Sequence, residues 1–442
     1  MKTTKKLLSS FFVMLLLCLF ASCDKSDQID PATGPFNNGS KERNMIVVLS
    51  DMHLGADLKY AECKNNLGSL EKLIKQIKVS PNVKELVIAG DLLDEWFVPA
   101  TIDTYQGKDQ ADFVKRIAVA NKGVIDAFNS MIKEGKILVT YVPGNHDLTI
   151  TEASVELILP EINQVRDPEQ GLGTYSPIGH PEIAIEHGHR YNFFCAPDPF
   201  SNQDIAPGTI TPPGYFFTRI GALHTVQGYP TVAKDTLPTI TENISGGDSQ
   251  NYLYTYWGLW NWAINYLKIN NKFDEKLIFT NFDGFTETYS VKDLVPFQTT
   301  PGGEIDVVLY KGIQDKWSQR QAHNRVPVSI PTIQAIINSA SENELSDQAK
   351  IQYLKNPNSD VRIVVFGHTH VAKIESSLDH KNRKSIYANS GTWVDHNSLA
   401  KTKMEFVVIT SQNSDASSQT TVKLYNFENE VATKMAEDSV RL

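Results

Sequence analysis

From Met45 onward, short apolar runs alternate with segments whose apolar residues fall three and four apart. The runs MIVVLS, ELVIAG and ILVTYV read as strands, the last a buried one, almost wholly β-branched or aromatic. Between the first two, Leu67, Leu70, Leu73, Ile74 and Ile77 predict a helix that Pro81-Asn82 ends. Before the third, one amphipathic helix is expected over residues 111–134, with Phe113, Ile117, Val124, Phe128 and Ile132 on its stripe. Alternation of this kind implies parallel pairing through right-handed crossovers, and so an α/β fold.

Two later runs, EIAIE and RIVVFG, repeat the strand pattern, but the stretch between them does not. Residues 196–360 begin with Pro197, Pro199, Pro207, Pro212 and Pro213 and then reach TYWGLWNWAINYL. That segment reads as a hydrophobic helix packed into a small core of its own. The sharper reading is a cap over the site, with Trp257, Trp260 and Trp262 exposed to grip an apolar or ring-bearing substrate. A stretch of this length is no plain connection, because structureless loops beyond about 15 residues are uncommon. Arg219, in PGYFFTR, reads as an ordinary surface arginine or as a phosphate clamp. The closing runs KSIYANSG, MEFVVIT and TVKLYNF predict a second, mixed or antiparallel sheet packed on the first.

Ahead of the folded body, Lys2, Lys5 and Lys6 precede ten apolar residues, 11–20. Ten are too few to span a bilayer, which takes about 20, so residues 1–22 read as an export signal. Phe20-Ala21-Ser22-Cys23 resembles a bacterial lipobox, although Phe stands where Leu is usual. The expectation is a lipoprotein cleaved before Cys23, lipidated there, and held on the non-cytoplasmic side of a membrane. The rival is an ordinary secreted protein. Residues 23–44 are polar and broken by Pro31, Gly34, Pro35 and Gly39, and read as a flexible tether. Of the four cysteines, Cys63 and Cys195 remain for the body, as a disulfide or as two free thiols. The net charge of −9 and the lack of a long basic run argue against nucleic acid as partner.

Each strand run leads into polar residues of one kind. MIVVLS leads to Asp51 and His53, ELVIAG to Asp91 and Asp94, and ILVTYV to Asn145 and His146. EIAIE leads to His187 and His189, and RIVVFG to His368 and His370. In open α/β sheets, ligands bind outside the carboxyl ends of the strands. Asp91 has two oxygens with which to bridge two cations. Asp51, His53, Asp91, Asn145, His187, His368 and His370 make two mixed nitrogen and oxygen sites, suited to Mn, Fe or Zn more than to Ca or Mg. His146 is then free to act as general acid, with Asp94 holding its tautomer. Any one of these motifs is commonly a surface turn, and Asp91 with Asp94 alone a helix cap; their order at five strand ends is what points to a site. His180, His224, His323, His380 and His396 stand outside the loops and read as structural or surface residues.

In that order, DMH, GDLLD, GNHD, HGH and GHTH resemble the calcineurin-like metallophosphoesterase superfamily, over residues 45–195 and 360–427. The resemblance implies a four-layer α/β/β/α sandwich over residues 45–430, with a large cap subdomain inserted at about 196–360, and a dinuclear centre of divalent or trivalent ions. One metal would be held by Asp51, His53, Asp91 and His370, the other by Asp91, Asn145, His187 and His368. His146 would be catalytic with Asp94 behind it, and His189 would face the substrate phosphate. The implied reaction is phosphate-ester hydrolysis of a mono- or diester or nucleotide, by attack of metal-bound hydroxide. GDLLDEWF, SDMHLG and YANSGTWV are also similar to the branch containing UDP-2,3-diacylglucosamine pyrophosphohydrolases. That makes pyrophosphate hydrolysis of a nucleotide-linked or lipid-linked substrate the alternative. The chain departs from the branch in keeping His146 where Arg is usual, and in its export signal. A surface binding module without catalysis is the reading from another class, and an amide hydrolase a third.

Overall fold

Strands β1 (Met45–Leu49), β2 (Val83–Ala89), β3 (Leu138–Val142) and the short β4 (Asn163–Gln164) pair in parallel, as the alternation predicts. These positions come from a computed structural model that describes residues 34–397, 400–412 and 418–442. The proposed signal, residues 1–22, and Cys23 lie outside the described residues. Helices α1 (Leu67–Lys78), α2 (Gln110–Ala120) and α3 (Lys122–Glu134) cover one face of this sheet. The single helix expected over 111–134 is therefore two. Asn121 interrupts it, turning its side-chain amide onto the carbonyls of Gly55 and Ile117, 2.9 Å away in each case.

Side chains alternate across each strand, so one strand serves two cores. Met45, Val47 and Leu49 of β1 face the helices, while Ile46 and Val48 enter a second core. There they meet Ile183 and Ile185 of β5 (Ile183–Ile185) and Ile363 and Val365 of β6 (Ile363–Phe366). With β7 (Lys373–Leu378) and β8 (Lys384–Asn389), these make a second sheet in the order β7-β8-β6-β5. Its outer face, through Val364, Phe366 and Tyr387, packs on Leu345, Ala349 and Leu354. The layers run helix, sheet, sheet, helix. Strands β9 (Glu405–Thr410), β10 (Thr420–Glu428) and β11 (Val431–Val440) do not build the second sheet, as expected for the first two. They extend the first, β9 pairing antiparallel with β1. Only KSIYAN, as β8, joins the second.

Between β5 and β6, helices α4 (Pro213–Val226), α5 (Gly247–Tyr266) and α6 (Ile313–His323) gather around their own core, which includes Tyr256, Trp260 and Trp317. That core also takes in Trp96 and Leu148, which follow two of the site loops, so the insert sits at the strands' carboxyl ends. The bland reading of the tryptophan helix holds for Trp260, which is buried; Trp262 is 62% exposed and stacks on Tyr266. The insert's last helix, α7 (Glu344–Ala349), belongs to the outer layer of the sandwich.

Two expectations need correction, and one open alternative is settled. Arg219 is neither at the surface nor free to clamp phosphate: it is fully buried and donates to the carbonyls of Val98, Ile102 and Phe279 and to the Tyr215 hydroxyl. Residues 34–44 lie against the body, with Phe36 buried on Phe406 and Arg43 bonded to the carbonyls of Ser80 and Lys136. Cys63 and Cys195 are free thiols. Among the described residues, no helix is long and apolar enough to cross a membrane.

Candidate metal centre

Five of the seven expected ligands sit on left-handed backbone: Asp51, His53, Asp91, His368 and His370 have φ between 46° and 70°. Such a conformation costs a non-glycine residue roughly 1–2 kcal/mol. It persists only where the surroundings impose it, and it clusters at functional sites. Here each strand must stop and turn its next side chain inward at once. Glycine makes room for the turns. A Cβ at Gly144 would lie 2.2 Å from Asp91 Oδ1, and one at Gly90 2.5 Å from the His187 ring.

The first sheet brings Asp51, His53, Asp91 and Asn145, the second His187, His368 and His370. His53 Nδ1 faces the carboxylates of Asp94 at 3.1 Å and Glu62 at 3.3 Å, which only accept, so Nδ1 carries the proton. In the neutral ring, its Nε2 then presents a lone pair. That lone pair looks onto His370 Nε2 at 3.1 Å, Asp91 Oδ2 at 3.6 Å and Asp51 Oδ1 at 3.9 Å. His187 repeats the arrangement. Its Nδ1 donates to the Ala89 carbonyl, and its Nε2 faces Asp91 Oδ2 at 3.1 Å and Asn145 Oδ1 at 3.0 Å. Asp51 Oδ1 is 3.2 Å from His370 Nε2. The His368 ring lies 5.2 Å from that of His187, and its backbone N–H donates to Asp51.

Acceptor thus meets acceptor throughout a buried cluster. Such groups must be neutralised by protons or by cations. Without a cation, protons do it: burial opposes charge on His187, yet Asp91 and Asp51 raise its pKa to about 9. Burial likewise opposes charge on Asp51, but His187, His370 and His53 hold its carboxyl well below the usual range. His368, buried beside a charged His187, is pushed down to about 3 and stays neutral, as a ligand must. Asp51, His53 and His370 form one group of converging donor atoms, and Asp51, Asp91 and His187 another. The donor set fits two metal ions, with Asp91 Oδ2 between the imidazoles of His53 and His187. The Nδ1 bonds of both rings set the tautomers that metal binding needs.

His146 stands beside this cluster. Its Nδ1 bonds to Asp94 Oδ1 at 2.9 Å, its ring lies 5.0 Å from Trp96, and its Nε2 is the nitrogen Asp94 does not hold. Burial disfavours charge on His146, but Asp94 outweighs it and raises the pKa. His189, expected to face the substrate phosphate, has no free N–H to offer it. It is buried, its Nε2 bonds to the Gly171 carbonyl, and burial beside His187 keeps it neutral, so Nδ1 can only accept.

Residues 45–211 match the family model of the calcineurin-like phosphoesterases. The chain carries a calcineurin-like phosphoesterase domain. It is accordingly a phosphoric ester hydrolase. The matched span holds the first four site loops; the structure adds His368 and His370 of the phosphoesterase centre from beyond it. Two solved structures, a single and a double mutant of Vps29 from Entamoeba histolytica, are each 9% identical, with TM-scores of 0.29 and 0.28. Each alignment covers 90% of this chain and 99% of the other. Comparison with the curated proteins finds no match.

Two residues of the phosphoesterase site carry roles that sequence reasoning did not assign. Asp147 accepts from the backbone N–H groups of Gly144, Leu92 and Leu93, and so fastens the third site loop to the second. Its place at the end of GNHD was the available signal. Glu62 groups with His53, Asp94 and His146, and no motif marks it.

Proposed function

We propose that the chain hydrolyses a phosphate mono- or diester, or a nucleotide, with two metal ions and outside the cytoplasm. The observation that carries this is the place of Asp91 Oδ2, 3.6 Å from His53 Nε2 and 3.1 Å from His187 Nε2. One carboxylate oxygen shared by two imidazole donors suits a pair of neighbouring cations. Asp51, His53, Asp91 and His370 would hold one ion, and Asp91, Asn145, His187 and His368 the other. Their mixed donors suit Mn, Fe or Zn. When bound, such ions supply Lewis acidity toward phosphate and an activated water.

The chain's own part is to place a proton. Asp94 fixes Nδ1 of His146 and favours the charged ring, so Nε2 holds the proton that the leaving oxygen needs. Trp96 beside the ring limits its swing. An acid matters most for a poor leaving group such as an alkoxide, which supports an ester. Export and a lipid anchor at Cys23 are supported by Lys2, Lys5 and Lys6, by apolar residues 11–20, and by the lipobox-like sequence.

To test the reaction, the protein is stripped of metal, reloaded with Mn, Zn or Fe, and assayed on phosphomonoesters, phosphodiesters, nucleotides and nucleotide-sugar pyrophosphates. Turnover of an ester that needs metal and His146 is the expected result. Preference for the pyrophosphates would replace the ester with the alternative substrate class. Bound metal without turnover on any of them would favour a binding module, and failure to bind metal would end the reading. For the anchor, labelled palmitate should enter the chain in cells and be lost in Cys23→Ala.

A further inference from the structure

Glu62 is the member of the His53, Glu62, Asp94, His146 cluster that the phosphoesterase chemistry leaves without a task. The ligand atoms of these four lie within 4.8 Å of one another. Asp94 is 2% exposed and His53 1%, whereas Glu62 is 23% exposed and His146 12%, so these last two are the cluster's open side. The carboxylate of Glu62 approaches His53 Nδ1 at 3.3 Å, but that proton already has Asp94 at 3.1 Å. Glu62 is therefore a second acceptor for a proton that Asp94 already holds. It is also presented firmly. Its carbonyl accepts from Asp395 N at 2.8 Å, Cys63 next to it is buried in the main core, and Ala61 packs against Gly55.

We infer that Glu62 is a specificity determinant, a fixed carboxylate on the leaving-group side that disfavours substrates whose leaving group carries a phosphate of its own. The inference rests on the phosphoesterase reading above, in which His146 gives its proton to the leaving oxygen. A carboxylate oxygen of Glu62 lies within 4.8 Å of a ring nitrogen of His146, so a leaving group held at His146 comes into its field. A neutral alcohol or nucleoside tolerates it and can donate a hydroxyl hydrogen to it. The second phosphate of a nucleoside diphosphate or nucleotide-sugar meets a like charge at close range in a partly buried setting. Repulsion there is worth about tenfold in affinity. It acts against the phosphoanhydride while sparing the ester, which is discrimination by an unfavourable contact.

The test compares metal-loaded wild type with Glu62→Gln, which removes the charge and keeps the shape, and with Glu62→Asp, which keeps the charge. Binding of orthophosphate and of pyrophosphate is measured by calorimetry, with metal content assayed alongside. The preference for orthophosphate over pyrophosphate should fall about tenfold in Glu62→Gln and persist in Glu62→Asp. In wild type that preference should weaken as salt is raised, and in Glu62→Gln it should not. The ratio of kcat/KM for a nucleotide-sugar to that for p-nitrophenyl phosphate should rise by the same factor in Glu62→Gln. An unchanged preference overturns the inference, and so does a Glu62→Gln protein that loses both ligands equally. A shifted preference in a protein that turns nothing over would uphold the role of Glu62 while removing the hydrolase reading.

Discussion

At the strand ends, Asp51, Asp91, His53 and His187 are buried with acceptors facing acceptors; at the root of the insert, Arg219 is buried as deeply and fully answered. Its guanidinium donates to the carbonyls of Val98, Pro99, Ala100, Ile102 and Phe279, all neutral backbone. Both are buried polar constellations, and composition does not tell them apart. The difference lies in whether donors and acceptors close on themselves. A closed set is structural: Arg219 ties α4 to the loop that follows Asp94 and so holds the insert over the site. An open set, on strained backbone, awaits a ligand. The first sheet supplies four of the seven expected ligands and the second three, so neither sheet alone makes the set.

The largest effect is expected at Asp91. Asp91→Asn removes the charge that the two proposed metal sites would share, and activity should fall to background with loss of bound metal, measured by elemental analysis. Chelation of the wild type should do the same, and metal should restore it. A variant that keeps both metals and its activity would sink the bridging role. Next comes His146→Ala, for which about a 10²- to 10⁴-fold drop in kcat is expected with metal content unchanged. Equal loss of metal would place His146 among the ligands instead of beside them.

The strand-end loops were legible because each is local: an apolar run, in four of the five a glycine or serine, and a ligand within two or three residues. What stayed hidden depends on partners far away in the chain. β9 pairs with β1 across some 360 residues, from Met45 to Thr410, and its local pattern is the same whichever sheet it joins. Arg219 looks like a surface residue because its partners are carbonyls, which every residue has. Asn121 splits a helix whose apolar stripe runs straight through, since the split rests on a bond to Gly55. Glu62 reaches His53 from a loop with no periodicity. Asp147 was in plain view, but its role as a brace between two loops appears only when both are placed.

Arg219→Met probes the closed constellation. The substitution preserves bulk but leaves several buried carbonyls unanswered, at about 1–3 kcal/mol for each one left dry. A loss of roughly 3 kcal/mol in unfolding free energy is expected, read from chemical denaturation. Activity per folded molecule should hold, because Arg219 faces backbone and not the metal centre. A stable variant with reduced kcat would mean that the insert's attachment tunes the chemistry.

The smallest effect is expected at Trp262, where the two readings of the tryptophan helix part company. Trp260, two residues away and so on the opposite side of the helix, is buried among Phe217 and Tyr256 and belongs to the insert's core. Trp262 is 62% exposed and stacks only loosely, its ring 5.8 Å from that of Tyr266. Trp262→Ser should change stability by no more than about 0.5 kcal/mol, as for most surface sites. If the helix serves only to fill the insert, kcat/KM on every substrate should stay within twofold. A rise in KM confined to apolar or ring-bearing substrates, with kcat unchanged, would instead show ground-state binding by the exposed pair. The insert would then be a substrate-gripping cap as well as a structural one, and the contrast with the metal centre would narrow to chemistry alone.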